Sequence, residues 1–128
     1  MTLEEFLKYI DLHIRRYGDF RVVAIQRPPG KSHRANKIEI LPVTDVFPDD
    51  GGKDIILLIC DEENCQNPTE ISITMKELNT KLKSLVKGRK KYSVECSSRK
   101  PDGGWRLDLP VYGYGMNEME QIFAVLIM

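Results

Sequence analysis

One pattern recurs along this chain and limits what it can fold into. Thr2, Leu3, Glu4, Glu5 and Phe6 open one stretch, and Thr74, Met75, Lys76, Glu77 and Leu78 open another, 72 positions later. Each begins Thr-x-x-Glu, the capping box. There the threonine hydroxyl accepts from the N3 amide, and the glutamate reaches back to the N-cap amide. Apolar residues at helical spacing follow. Leu3, Phe6, Leu7, Ile10, Ile14 and Tyr17 form one stripe, and Leu78, Leu82, Leu85 and Val86 the other. Gly18 and Gly88 stand where glycine stops helices.

Each predicted helix leads into an alternating run. Phe20, Val22 and Ala24 alternate with Arg21 and Val23, as Tyr92, Val94 and Cys96 do with Ser93 and Glu95. Breaker loops follow, RPPGKSHRAN in the first half and SSRKPDGG in the second. Then Ile40-Leu41-Pro42-Val43 answers Asp108-Leu109-Pro110-Val111. Both halves close on apolar runs, DIILLIC and QIFAVLIM, that suit strands buried on both faces. The offset drifts from 72 to 68 and then 67, as the shorter second loop requires. Ile38 and Ile40 are answered by Arg106 and Asp108, a mismatch that a bulge near the proline resolves.

These observations predict an α+β fold. Two tandem α-β-β-β repeats, 2–60 and 74–128, pack as one compact domain (1–128), with 61–70 as polar linker. Ile71 and Ile73 are expected in a short strand before the second cap. One helix cannot cover a sheet face and hide both apolar runs, so each repeat needs the other. The expected body has a mostly antiparallel sheet, since the connections are short. Both helices lie on one side, about a pseudo-two-fold axis. A closing strand on an open edge would invite aggregation or pairing across a homodimer.

Composition narrows the class. With 41% hydrophobic and 30% charged residues, 128 residues can build one core. MTLEEFLKYI has acids where a secretory signal carries bases, and Ile55–Cys60 and Ile122–Met128 are too short to span a bilayer. Cys60, Cys65 and Cys96 read as free thiols, which points to the cytoplasm and away from membranes.

Charge is zero in sum and uneven in place. Lys76–Lys91 holds seven bases (Lys76, Lys81, Lys83, Lys87, Arg89, Lys90, Lys91) against Glu77 alone. Glu39–Glu63 holds eight acids against Lys53 alone. Lys83, Lys87 and Lys90 share a face only if the helix outlasts Gly88. Such a patch suits phosphate contacts, although cations near a helix C-terminus also serve the helix itself.

Chemistry-bearing motifs are few. Pro29-Gly30-Lys31-Ser32 ends like a P-loop, but Ile25 stands where the motif needs glycine, and Pro28 and Pro29 remove amide donors. The loop is still basic (Arg27, Lys31, His33, Arg34) and suits an anion. The cysteines lack the close pairing of zinc sites, and His13 reads as a boundary residue. Asp49-Asp50 and Glu62-Glu63 are adjacent loop pairs, poorly placed to converge as acid and base. No nucleophile elbow is present. Tyr112-Gly113-Tyr114-Gly115 reads as a turn whose two tyrosines suit partner contacts. No catalytic residue, metal or cofactor is expected.

Thr2–Leu7, Gly18-Asp19-Phe20-Arg21-Val22, and Asp49-Asp50-Gly51-Gly52 before Ile55–Ile59 resemble short accessory proteins of phages and mobile elements. The resemblance covers roughly residues 2–60 and, more loosely, 74–128. It implies a small factor that acts by binding, and it carries over no site residue. The leading expectation is a non-enzymatic protein that binds a protein partner. One alternative is a nucleic-acid module using Lys81–Lys91 and the Arg27–Arg34 loop. The other is capture of a small anionic ligand between the repeats.

Overall fold

A computed structural model describes residues 1–26, 39–60, 68–98 and 108–127. In chain order the elements are α1 (Leu3–Tyr17), β1 (Arg21–Gln26), β2 (Glu39–Asp49), β3 (Asp54–Ile59), α2 (Pro68–Ile71), α3 (Met75–Leu85), β4 (Ser93–Ser97), β5 (Leu109–Asn117) and β6 (Ile122–Ile127). The fold is α+β.

Local chemistry starts both long helices. The Thr2 hydroxyl accepts from the Glu5 amide at 3.3 Å, and the Thr2 amide donates to Glu5 Oε2 at 3.4 Å, completing a capping box. Thr74 accepts from the Glu77 amide at 3.2 Å, but its hydroxyl, not its amide, donates to the Glu77 carboxylate. Such a cap is worth about 1 kcal/mol. Gly18 ends α1 at φ 99, donating to the Ile14 carbonyl. α3 ends on Val86, and Gly88 takes its positive φ in the turn beyond. The buried stripe of α1 is Leu3, Phe6, Leu7 and Ile10, extended by His13, whereas Tyr17 is 42% exposed. The helix has rotated Tyr17 toward solvent by its last turn.

The strands form a closed barrel in the order β1-β2-β3-β4-β5-β6. Four pairings are antiparallel, all between chain neighbours; β1 pairs β6 and β3 pairs β4 in parallel. Closure settles the edge question. β6 has a partner on each side, so the open-edge argument for a homodimer falls away. The helices α1 and α3 touch, Asn79 Nδ2 donating to Asp11 Oδ1 at 3.0 Å.

Each half begins by pairing with the other. The Leu3 amide donates to the Tyr92 carbonyl at 2.8 Å, and the Val94 amide to the Met1 carbonyl at 3.0 Å. Met75 donates to Phe20 at 2.8 Å, and Val22 to Ile73 at 2.9 Å. The two pairs of bonds match at the offset of the caps. Bulges interrupt β2 between Val43 and Asp45 and β5 between Val111 and Gly113, directly after each Leu-Pro-Val. A bulge near the proline is therefore present, but in both halves alike, so it does not account for the mismatch of Ile40 with Asp108 before it.

One core joins the layers. Leu3, Phe6, Ile10, Met75, Leu78 and Leu82 from the helices share a buried cluster with Val22, Ala24, Ile55, Leu57, Phe123 and Val125 from the strands. On the other face of β1 and β6, Val23, Ile122 and Ala124 form a small second cluster.

Four sequence readings change. Ile71 ends the single-turn α2 rather than a strand, while Ile73 bridges Val43 and Val22 through its backbone. Tyr112–Gly115 lies inside β5, not in a turn. Ile40 is 46% exposed. Cys60 is disulfide-bonded, its partner outside the described residues, so the free-thiol argument for a reducing compartment does not hold there. Cys96 is free and buried. Among the described residues no helix is long and apolar enough to cross a membrane.

Candidate functional site

The basic stretch after α3 splits into bases that are paired and bases that are not. Lys81 meets Asp45 at 2.8 Å and Lys83 meets Asp11 at 3.5 Å. Arg89 grips Asp50 with two nitrogens, Nε at 2.8 Å and Nη2 at 3.2 Å, and its Nη1 donates to the Leu85 carbonyl. The Tyr92 hydroxyl donates to the same carboxylate at 2.8 Å. These donors, Arg89 first and Tyr92 second, pull the Asp50 pKa from 3.8 to about 2. Asp50 in turn raises both the Arg89 and Tyr92 pKa values. The clamp fixes Tyr92 at the entrance to β4.

Beside that clamp is a recess of about 490 Å³. Lys53, Gly88, Lys90, Lys91 and Tyr92 line it. Lys53 comes from the β2–β3 turn of the first half and the others from the α3–β4 connection of the second. All three lysines are exposed, and among the described residues none has an ion-pair partner. Three ammonium groups around one concavity attract an anion. The sequence put Lys90 and Lys91 on a candidate surface but missed Lys53, which stood alone in an acidic stretch. Only the parallel pairing of β3 with β4 brings it near them, through the bond from the Ser93 amide to the Lys53 carbonyl.

The other sequence candidates scatter. Lys87 is exposed and does not line the recess. With α3 ending at Leu85, Lys83, Lys87 and Lys90 do not share a helix face. Arg27, Lys31, His33 and Arg34 lie outside the described residues. Tyr112 is 58% exposed. Tyr114 is half-buried: its ring stacks on Tyr9 at 3.8 Å and packs near Phe6 and Phe123. Burial raises its pKa.

His13 is buried rather than at a boundary. Phe20, Phe123 and Tyr17 surround its ring at 5.0–5.2 Å, and Nε2 sits 3.0 Å from Met116 Sδ. Its Nδ1 has no hydrogen-bond partner among the described residues. Burial lowers its pKa, and the Glu118 charge opposes that only in part. The ring serves as a neutral core residue.

The sequence also missed a convergence of acids. Ligand oxygens of Asp49, Asp54 and Asp108 lie within 4.8 Å of one another. Three such oxygens are a partial set for a hard cation, and each of the three residues also makes another interaction. A Cβ on Gly52 would come within 2.7 Å of Asp54 Oδ2, so a larger residue there would displace the Asp54 carboxylate.

A smaller apolar groove of about 250 Å³ runs over Val23, Ile25, Ile40, Met116, Ile122 and Leu126. No protein-family model matches the chain, and neither a curated protein nor a solved structure does.

Proposed function

We propose that this is a non-enzymatic binding protein that captures an anionic group in the recess between its two halves. One observation carries the reading: Lys53 from one turn and the adjacent Lys90 and Lys91 from another line a single open recess without ion-pair partners among the described residues. Lysines that merely keep a surface soluble have no reason to converge. The experiment is a thermal-shift titration with sulfate, phosphate and citrate at low ionic strength. A ligand that binds only the folded chain raises its melting temperature with concentration. The Lys90→Gln/Lys91→Gln variant should lose that rise. A flat response to every anion counts against the reading.

A second reading, binding of a protein partner, draws on the exposed Tyr112, Met116 and Ile40, the latter two beside the apolar groove. Tyrosine anchors of this kind bury much area at small entropic cost. Cross-linking of the full chain to its neighbours in cell extract, compared with Tyr112→Ala, tests it.

A further inference from the structure

We propose that the ligand of this recess is a linear polyphosphate group, two or more linked phosphates, rather than a single phosphate or a carboxylate. The inference rests on the reading of the recess as an anion site and adds the chemistry of the anion.

The donor type is the first argument. Planar carboxylates are matched by the rigid fork of arginine, whereas lysine offers a point charge with rotatable donors on a flexible stem. The arginine next to the recess, Arg89, is committed to Asp50 and the Leu85 carbonyl. What faces the cavity is lysine only. Three such charges follow an extended run of oxygens better than one fork does.

Charge and size point the same way. Among the described residues no acid lines the recess. Asp50, which accepts from the Tyr92 hydroxyl, is neutralised by Arg89. A single phosphate carries about −1.5 to −2 near neutral pH, less than three ammonium groups supply, and a second linked phosphate closes the gap. The cavity falls within the roughly 300–1,000 Å³ of small-molecule sites.

The backbone supplies a third, independent observation. Lys53 sits at φ 57, in the left-handed region where glycine is the cheap residue. Gly51 and Gly52 directly precede it, yet this position is lysine. The corresponding residue before β6, Gln121, has φ 55. The turn therefore demands the conformation in both halves, while only the half that faces the recess has a cation there. The left-handed φ therefore belongs to the turn, and what sets the first half apart is the cation placed there beside the recess. Gly88, at φ 78, adds open backbone to the rim: a Cβ there would meet nothing within 4 Å.

The test is calorimetric titration of the full chain with orthophosphate, pyrophosphate, inorganic triphosphate, ADP and a twelve-nucleotide single strand. Melting curves accompany it for the parent, Lys53→Gly and Lys90→Gln/Lys91→Gln. One-to-one binding of pyrophosphate and triphosphate at least about tenfold tighter than orthophosphate is expected, tenfold being one charge-assisted hydrogen bond. ADP tighter than pyrophosphate assigns a nucleotide; ADP equal to or weaker than pyrophosphate assigns free polyphosphate. Lys53→Gly should weaken pyrophosphate about tenfold and leave melting near the parent's, since glycine takes the turn without strain. Orthophosphate as tight as pyrophosphate, or a single strand tighter than triphosphate, overturns the polyphosphate inference. The recess reading stands in either case if both variants lose that binding. An unchanged pyrophosphate affinity in Lys53→Gly also overturns the inference. Binding of none of these anions removes both.

Discussion

The turn before β3 and the turn before β6 share a backbone and differ in almost everything attached to it. Lys53 and Gln121 close them in the same left-handed conformation. Around the first, Asp50 ties Arg89 to Tyr92, and Lys90 and Lys91 stand unpaired beside them. Around the second, the positions matching Arg89, Lys90, Lys91 and Tyr92 hold Tyr17, Gly18, Asp19 and Phe20. There Asp19 accepts from the Lys76 amide at 2.9 Å, and Tyr17 and Phe20 pack on the buried His13. Main-chain bonds repeat because their loss would bury unpaired amides. Exposed side chains answer to no such constraint, so the halves share a frame and differ in chemistry. One end is a charged recess and the other an aromatic nest.

The comparison breaks most visibly in the core. Ile10 and Leu82 occupy matching helix positions, and both are fully buried. Ile10→Ala and Leu82→Ala should each lower stability by about 2–5 kcal/mol, measured by urea denaturation. A large loss at one and almost none at the other would show that the halves share a frame but not a load.

His13 comes next, as the mark of the aromatic end. Its folded pKa lies below 6.5 because burial disfavours the imidazolium. The unfolded chain therefore takes up the proton first. The contribution of neutral His13 is complete above pH 6.5 and is lost as pH falls below that toward the folded value. The stability of the parent, followed by denaturation between pH 7.5 and 5, should decline, and His13→Gln should flatten the decline. An equal slope in the variant would assign it to other groups.

The caps should respond more weakly. Thr2→Ala and Thr74→Ala are expected to cost about 1 kcal/mol each. Thr2 should cost more, since it alone completes the reciprocal box; denaturation midpoints of the two variants compare them.

The smallest effect belongs to Asp50, which is exposed. With its pKa drawn to about 2 by Arg89 and Tyr92, its contribution is full above pH 3.8. It is lost as pH falls from there toward 2. Carboxylate titration by NMR checks the value, and Arg89→Gln should move it back up.

Much of the frame was legible because it is written in local chemistry. The threonine caps, the 3.6-residue stripes of α1 and α3, and the apolar runs of β3 and β6 each need only neighbours in sequence. Tyr114 misled because glycines on either side look like a turn; a strand at a bulge accommodates them, and the ring then enters the core. Arg89 looked like a free base because its partner Asp50 lies 39 residues away. Asp49 and Asp54 gave no signal as a cluster because Asp108, which completes it, lies more than 50 residues further on.

By itself the sequence determined where helices begin, which strands must be buried, and that each half leaves apolar surface the other has to cover. Periodicity and capping act over a few residues, so they can be read from a string. Only the tertiary structure decided that the sheet closes, that β1 lies parallel to β6 and β3 to β4, and that Lys53 therefore meets Lys90 and Lys91. Those contacts depend on which distant segments share water-excluded space, and no short stretch of chain encodes that.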